Sequence, residues 1–373
     1  MERIQENYIL RDLDKKIVLL VGPRQAGKTW LAKKIAKKFS NSIYLNYDQY
    51  SDREILVNQS WLDTTDLLVL DELHKMSGWK NYLKGLYDTK PDSMRILVTG
   101  SARLDIYDKL GDSLAGRYFR HRLLPLSLSE INQVKEKPNI NKLIERGGFP
   151  ESYLAENITE ANRWRVQYIN SLLSTDVFEF DTIHSFKAIR LIFDLLRNKV
   201  SSPISYQSLA EDVAISPITV KKYIQILEAL FIVFRVTPYS KNIARSLLKE
   251  PKIYFFDTGL VQGDEGVKLE NLIAVGLLKH VYGVVDYKAL NYDLHYLRTK
   301  DKQEVDFALV CDDRVQKIIE VKLADNQISK PLLNFNNKYG YEAIQLVKSL
   351  KNEYQHLNIK VLKADTFLKK LFM

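Results

Sequence analysis

The sequence predicts an α/β fold that opens on a parallel sheet, and three short segments carry that expectation. Residues 17–21, 67–70 and 95–99 are compact runs of branched apolar side chains. Parallel strands buried on both faces read this way. The first run passes straight into Gly22-Pro23-Arg24-Gln25-Ala26-Gly27-Lys28-Thr29. An amphipathic stretch over residues 30–39 follows, opening on Trp30, with Lys33, Lys34, Lys37 and Lys38 on its wet side. Strand, glycine-rich turn and helix form the setting in which G-x-x-x-x-G-K-[ST] cradles phosphate.

Each of these elements has a chemical task. The glycines let backbone N–H groups curl around phosphate oxygens, and the helix N-terminus adds positive potential. Residues 22–30 are therefore the expected nucleotide cradle. Lys28 would reach the β- and γ-phosphates and the Thr29 hydroxyl would ligate Mg²⁺. The second strand ends in Asp71-Glu72, at the strand end that faces the phosphate loop in such sheets. Asp71 is expected to hold Mg²⁺, directly or through water, and Glu72 to polarise the attacking water. The third strand ends in Thr99-Gly100-Ser101.

That order of elements resembles the AAA+ ATPases. The resemblance implies a polar residue near the γ-phosphate or attacking water, Ser101 in preference to Thr99. It implies an arginine finger given to a neighbouring subunit. Arg117, in Leu114-Ala115-Gly116-Arg117, is placed for it, with Arg103, Arg120 and Arg122 as local competitors. Gly147-Gly148-Phe149-Pro150 resembles a Gly-Pro element of the helical lid that packs near the nucleotide. ATP and Mg²⁺ are the implied cofactors, and ATP-promoted self-association the implied assembly.

Residues 161–200 carry apolar side chains at helical spacing. A short helix is expected over 207–213 and a turn at Ala214-Ile215. Ser216 is placed as N-cap and Pro217 as first residue of a helix over 217–230. Strands are expected at 231–236 and 252–256. Short helix, turn, longer helix and hairpin is the winged helix-turn-helix pattern. The net charge is +9. Residues 187–252 hold eleven Lys and Arg against five Asp and Glu. This local basic excess makes DNA an expected partner through the winged helix. Ser216, Thr219, Lys221 and Lys222 stand at the exposed start of the would-be recognition helix, with no row of base-reading Arg, Asn or Gln.

In the C-terminal third a helix is expected over 268–282, with Glu270 near its start, and strands at 295–297, 304–310 and 315–321. A helix over 330–338 and a strand over 343–347 complete the order. Asp306, then Glu320 and Lys322 on the next strand, resemble the PD-(D/E)xK restriction-endonuclease-like fold. Alternation puts Glu320 and Lys322 on one strand face. Two carboxylates could hold Mg²⁺ and the ammonium could orient water. Glu270, Asp306, Glu320 and Lys322 are thus a candidate second metal pocket.

The full order, together with Tyr254-Phe255-Phe256-Asp257-Thr258-Gly259-Leu260, resembles a large group of prokaryotic ATP-binding proteins. The expected division is an AAA+ nucleotide-binding domain over 1–122 and a helical lid and connection over 123–199. A winged helix over 200–251 and a nuclease-like domain over 252–373 follow. No stretch approaches the ~18 apolar residues of a membrane span, and residues 1–11 lack a signal-peptide apolar region. One cysteine, Cys311, leaves no intrachain disulfide framework, so the expected location is cytoplasmic, away from membranes. Two functions compete. One is an ATP-hydrolysing protein that acts on or with DNA, as an ATP-regulated nuclease at its furthest. The other is an ATP-dependent switch whose tail only binds.

Overall fold

The structure, a computed structural model, describes residues 3–100, 114–131, 137–176, 185–240, 250–299, 301–324 and 327–373. The chain forms two compact units, Met1–Pro125 and Leu126–Met373.

The first unit is built on β1 (Ile17–Val21), β2 (Ser42–Asn46), β3 (Leu67–Asp71), β4 (Arg95–Gly100) and β5 (Tyr118–Arg122), in the order β2-β3-β4-β1-β5. Every neighbouring pair is parallel. The sequence dictates the layering. Successive residues of β1 point to opposite faces. Ile17, Leu19 and Val21 enter one core with Leu83 and Leu86 of the helix Trp79–Thr89. Val18 and Leu20 enter another with Leu31 and Ile35 of the helix Lys28–Ala36 and Ile9 of the helix Gln5–Leu13. Glu6 ties the last two helices together, 2.6 Å from the Lys34 ammonium and 2.8 Å from that of Lys38.

The second unit opens on the short helix Leu128–Ile131, followed by helices Ile140–Arg146, Pro150–Leu154, Ile158–Ser171 and Phe186–Arg197. Gly147, expected near the nucleotide, packs within this unit on Asp257. Its φ is +73°, and a Cβ there would stand 1.7 Å from Asp257 Oδ1. Asp257 accepts a 2.8 Å bond from Arg165 Nε, and both side chains are buried. The Gly-Gly-Phe-Pro motif thus packs on the Asp-Thr-Gly motif at a buried Arg165–Asp257 ion pair.

The helix–turn–helix is present as Tyr206–Val213 and Pro217–Ala229. Ser216 Oγ accepts from Thr219 N at 3.1 Å, and Ala214 makes the turn at φ 57°. Strands β6 (Val233–Pro238) and β7 (Lys252–Phe255) pair antiparallel. The helix Glu265–Lys288 then leads to β8 (Tyr292–Arg298), β9 (Glu304–Cys311) and β10 (Arg314–Lys322). The helix Lys330–Tyr339, β11 (Glu342–Val347), β12 (Tyr354–His356) and β13 (Ile359–Lys363) follow. This is the expected helix, three strands, helix and strand. One arrangement was not legible in the sequence. β6 also pairs with β8, through Thr237 and His295, so all eight strands form one sheet, β12-β13-β11-β10-β9-β8-β6-β7.

Candidate nucleotide site and a buried charge cluster

The phosphate loop lies between β1 and the helix Lys28–Ala36, so Lys28 and Thr29 occupy the first helical turn. Gly22 takes φ +148°, and a Cβ there would meet Leu123 O at 2.2 Å. The first glycine therefore serves the close approach of the chain after β5. Gln25 also adopts a left-handed conformation, φ 59°. Arg3, absent from the sequence-based reading, is buried and spans the same place. Its guanidinium donates to Ala26 O at 3.1 Å and Leu124 O at 2.5 Å. Trp30 is 45% exposed, with the Lys34 ammonium 5.6 Å above its ring. Pro23, Arg24 and Gly27 complete the loop.

Lys28 is buried, and its ammonium donates to Gly22 O at 2.9 Å and Pro23 O at 2.8 Å. Burial pushes its pKa down to about 8, against the pull of Glu72 and Asp71 and with the help of Arg24. An anion on the loop would relieve that cost.

Asp71, at the end of β3, gathers three hydroxyls. Thr29 Oγ1 donates to Oδ2 at 2.9 Å, Tyr44 on β2 donates to the same oxygen, and Thr99 on β4 donates to Oδ1. Parallel pairing of β3 with β2 and β4 brings these side chains together, Asp71 lying opposite Thr99 and Asn46. Thr29 and Asp71 are hard oxygen donors in contact, the set that Mg²⁺ prefers. The residues present fit the ion.

Glu72 follows in the left-handed conformation, φ 56° and ψ 24°, with its N–H on Thr99 O at 3.0 Å. That kink turns it out of the strand. Its Oε2 is buried without a hydrogen-bond partner; His74 Nε2 stands 3.6 Å and Lys75 Nζ 3.8 Å away. Burial raises its pKa, with Asp71 adding and Lys28 opposing. A carboxylate so held is prepared to accept a proton. Ser101, the favoured sensor, and Arg103, a competitor of Arg117 for the finger role, lie outside the described residues. Thr99, the alternative, is engaged with Asp71.

Arg117 lies at the opposite end of the sheet. Its carbonyl accepts from Ile17 N at 3.1 Å, and β5 runs beside β1 from Ile17↔Tyr118 to Val21↔Arg122. Six residue steps along the strands, roughly 20 Å, separate it from Gly22 at the start of its own phosphate loop. Its guanidinium forms a two-pronged pair with Asp88, at 2.9 and 3.2 Å.

In the second unit Glu270, Asp306, Glu320 and Lys322 act on one another electrostatically. A lysine outside that set sits among them. Lys252, which opens β7, is 1% exposed. Its Nζ is 2.7 Å from Glu304 Oε1, 3.4 Å from Glu270 Oε1 and 3.6 Å from Asp306 Oδ1. Burial alone would depress its pKa, but Glu270, Asp306 and Glu304 together hold it above the ordinary value. Tyr254 OH donates to Glu270 Oε1 at 2.7 Å, and Val321 N to Asp306 Oδ2 at 2.9 Å. Burial lifts Glu270 to about 8, Asp306 adding and Lys252 opposing. Glu320 reaches about 6 by burial and the Asp306 charge, against Lys322 at 2.8 Å. Among the described residues no three His, Cys, Asp or Glu side chains are grouped to hold a metal ion. The signal for Lys252 was a lysine at the head of an otherwise apolar strand. Tyr44 and Arg3 had none.

Comparison with known proteins divides the chain in three. Residues 14–132 match the family described as AAA domain. Residues 137–268 and 265–367 match two domains of unknown function, DUF8612 and DUF4143. An uncharacterized protein of Mycobacterium tuberculosis is 26% identical over 301 residues, covering 78% of this chain. The chain spans 66% of the length of that relative. An uncharacterized protein of Methanocaldococcus jannaschii is 24% identical over 370 residues, covering 88% of this chain and 79% of its own. Among solved structures, a Walker-type ATPase of Pyrococcus abyssi aligns over 72% of this chain and 95% of its own, with 14% identity and a TM-score of 0.46. Among the described residues no helix is long and apolar enough to cross a membrane.

Proposed function

We propose that this chain, which carries an AAA-type P-loop ATPase domain over residues 14–132, is an ATP-driven switch that binds and hydrolyses Mg-ATP in a multi-subunit assembly. The observation that carries the reading is the junction of Lys28, Thr29, Asp71 and Glu72 at one end of the parallel sheet. Loop N–H groups and Lys28 hold the phosphates once the ammonium leaves the Gly22 and Pro23 carbonyls. Thr29 and Asp71 hold Mg²⁺, which neutralises phosphate charge when bound. Tyr44 and Thr99 fix the Asp71 carboxylate. Glu72 takes the proton of the attacking water as the new bond to the γ-phosphorus forms and the bridging bond to ADP breaks. Arg117 of a neighbouring subunit stabilises the charge that develops. Lys28→Ala should abolish ATP binding. Glu72→Gln should keep binding and lower turnover by about 10²–10⁴-fold. Equilibrium nucleotide binding and phosphate release measure the two. Wild-type turnover in Glu72→Gln would remove that residue from the role.

Beyond the nucleotide-binding domain over 1–122 the proposed parts are the lid and connection over 123–199, the winged helix over 200–251 and the nuclease-like part over 252–373. The neutralising lysine in the tail cluster favours a binding module over a nuclease. Contact with DNA remains part of the proposal, supported by Ile218, Lys221 and Gln225, which form an exposed face of the helix Pro217–Ala229. Affinity should fall steeply with salt and vary little with sequence. Lys221→Glu with Lys222→Glu should weaken every duplex alike in fluorescence anisotropy. Binding indifferent to both would place the contact elsewhere.

A further inference from the structure

A divalent ion and a buried ammonium compete for the same place in the tail cluster. A metal shared by Glu270 and Asp306 needs their oxygens at about 2.0–2.6 Å. Lys252 Nζ lies on those same oxygens, Glu270 Oε1 at 3.4 Å and Asp306 Oδ1 at 3.6 Å, and on Glu304 Oε1 at 2.7 Å. Its side chain is 1% exposed, and the Tyr296 ring lies 5.4 Å from Nζ. The ammonium side chain is thus almost wholly shielded from bulk water. Fixed donors hold these carboxylates too, Tyr254 on Glu270 and Val321 N on Asp306. A metal-dependent nuclease centre therefore does not fit the residues present.

We infer that Lys252 is the resident cation of this cluster, standing where a divalent metal ion would bind, so that the tail is a latent rather than a working metal site. The charges agree. Lys252, Lys322 and Arg298 face Glu304, Asp306, Glu320 and Glu270; Arg298 Nη1 reaches Glu304 Oε2 at 3.6 Å. Buried carboxylates without a cation carry a large desolvation cost, and the lysine removes the need for a dissociable ion. One ligand remains in waiting. Glu320 is 6% exposed at its side chain, and its Oε2 is buried without a hydrogen-bond partner. Taking away the ammonium leaves Glu270 and Asp306 without their nearest cation, and Mn²⁺ can take its place between them. The inference holds whether or not the ATP reading does.

The test is a Mn²⁺ titration of the full chain without nucleotide, followed by electron paramagnetic resonance. Wild type and Asp306→Asn should bind the same number of ions. Lys252→Met should gain one ion per chain, and Lys252→Met with Asp306→Asn should lose it again. Mn²⁺ should raise the melting temperature of Lys252→Met and leave that of wild type unchanged. The wild-type comparison decides even if Lys252→Met does not fold: an ion bound by wild type and lost in Asp306→Asn overturns the inference. A folded Lys252→Met that binds no additional Mn²⁺ overturns it equally.

Discussion

Glu270 translates most directly into a solution measurement. Its ordinary value is 4.5, and burial beside Asp306 raises it to about 8 in the folded chain. Between those values the native state keeps a proton that the unfolded chain has released. Stability from this group is full below about pH 4.5 and is lost as pH rises through about 8. The melting temperature should therefore fall from pH 5 to pH 8.5, and Glu270→Gln, which needs no proton, should flatten that slope. An unchanged slope in thermal unfolding would show that Glu270 is ionised throughout. At this scale the sequence was legible where partners are neighbours in the chain. Lys28-Thr29 and Asp71-Glu72 each form one contiguous motif, and strand ends bring them together. Tyr44, Arg3 and Lys252 were not legible, because their roles come from register between strands and from a terminal segment folding back. A lone Tyr in Ser42–Asn46 carries no mark of the carboxylate on the next strand.

Among the elements, the segment around Gly147 is the most constrained. A left-handed backbone with a Cβ aimed at the Asp257 carboxylate costs about 1–3 kcal/mol in conformation alone, and the contact adds to it. Gly147→Ala should lose about 2–4 kcal/mol, because Asp257 cannot yield without loosening Arg165. Calorimetry should show a melting temperature lower by roughly 5–15 °C; a shift under 2 °C would mean that the pair rearranges freely. Elements with both a start signal and a periodic face were foreseen, as Ser216-Pro217 before the helix Pro217–Ala229 illustrates. The helix Glu265–Lys288 outruns its expected 268–282. Asp264 caps it, accepting from Val267 N at 3.0 Å, and only Ala289 at φ 52° ends it. The strands β2 and β5 were missed. Both are edge strands, and Tyr-Phe-Arg-His-Arg has too little apolar character to read as sheet.

For the assembled molecule, the distance between Arg117 and its own phosphate loop has a stoichiometric consequence. An arginine at the far end of β1 acts on another subunit's nucleotide or on none. Arg117→Ala should keep ATP binding and lose turnover by on the order of 10³-fold. Mixing it with Glu72→Gln should restore part of the activity, because some interfaces then pair an intact Arg117 with an intact Glu72. Steady-state turnover against mixing ratio should rise to a maximum between the two pure variants, and a flat line would exclude the shared site. The order of helices and strands was largely legible because each motif has its own spacing. How the parts join was not, because strand pairing over long separations leaves no local trace.

That joining has a consequence for how such a protein can change over generations. β6 and β7 precede the long helix and β8 follows it, yet they form one sheet. A recombination joint at residue 264 would cut no helix or strand and would still divide the sheet between two ancestries, setting Thr237 and Pro238 against a strand never selected to meet them. The run from β6 to β13 is thus one sheet although the two family matches meet inside it. Diversity should collect at its free margin, where Tyr354, Gln355 and His356 of β12 are all exposed, while the seam between β6 and β8 stays fixed.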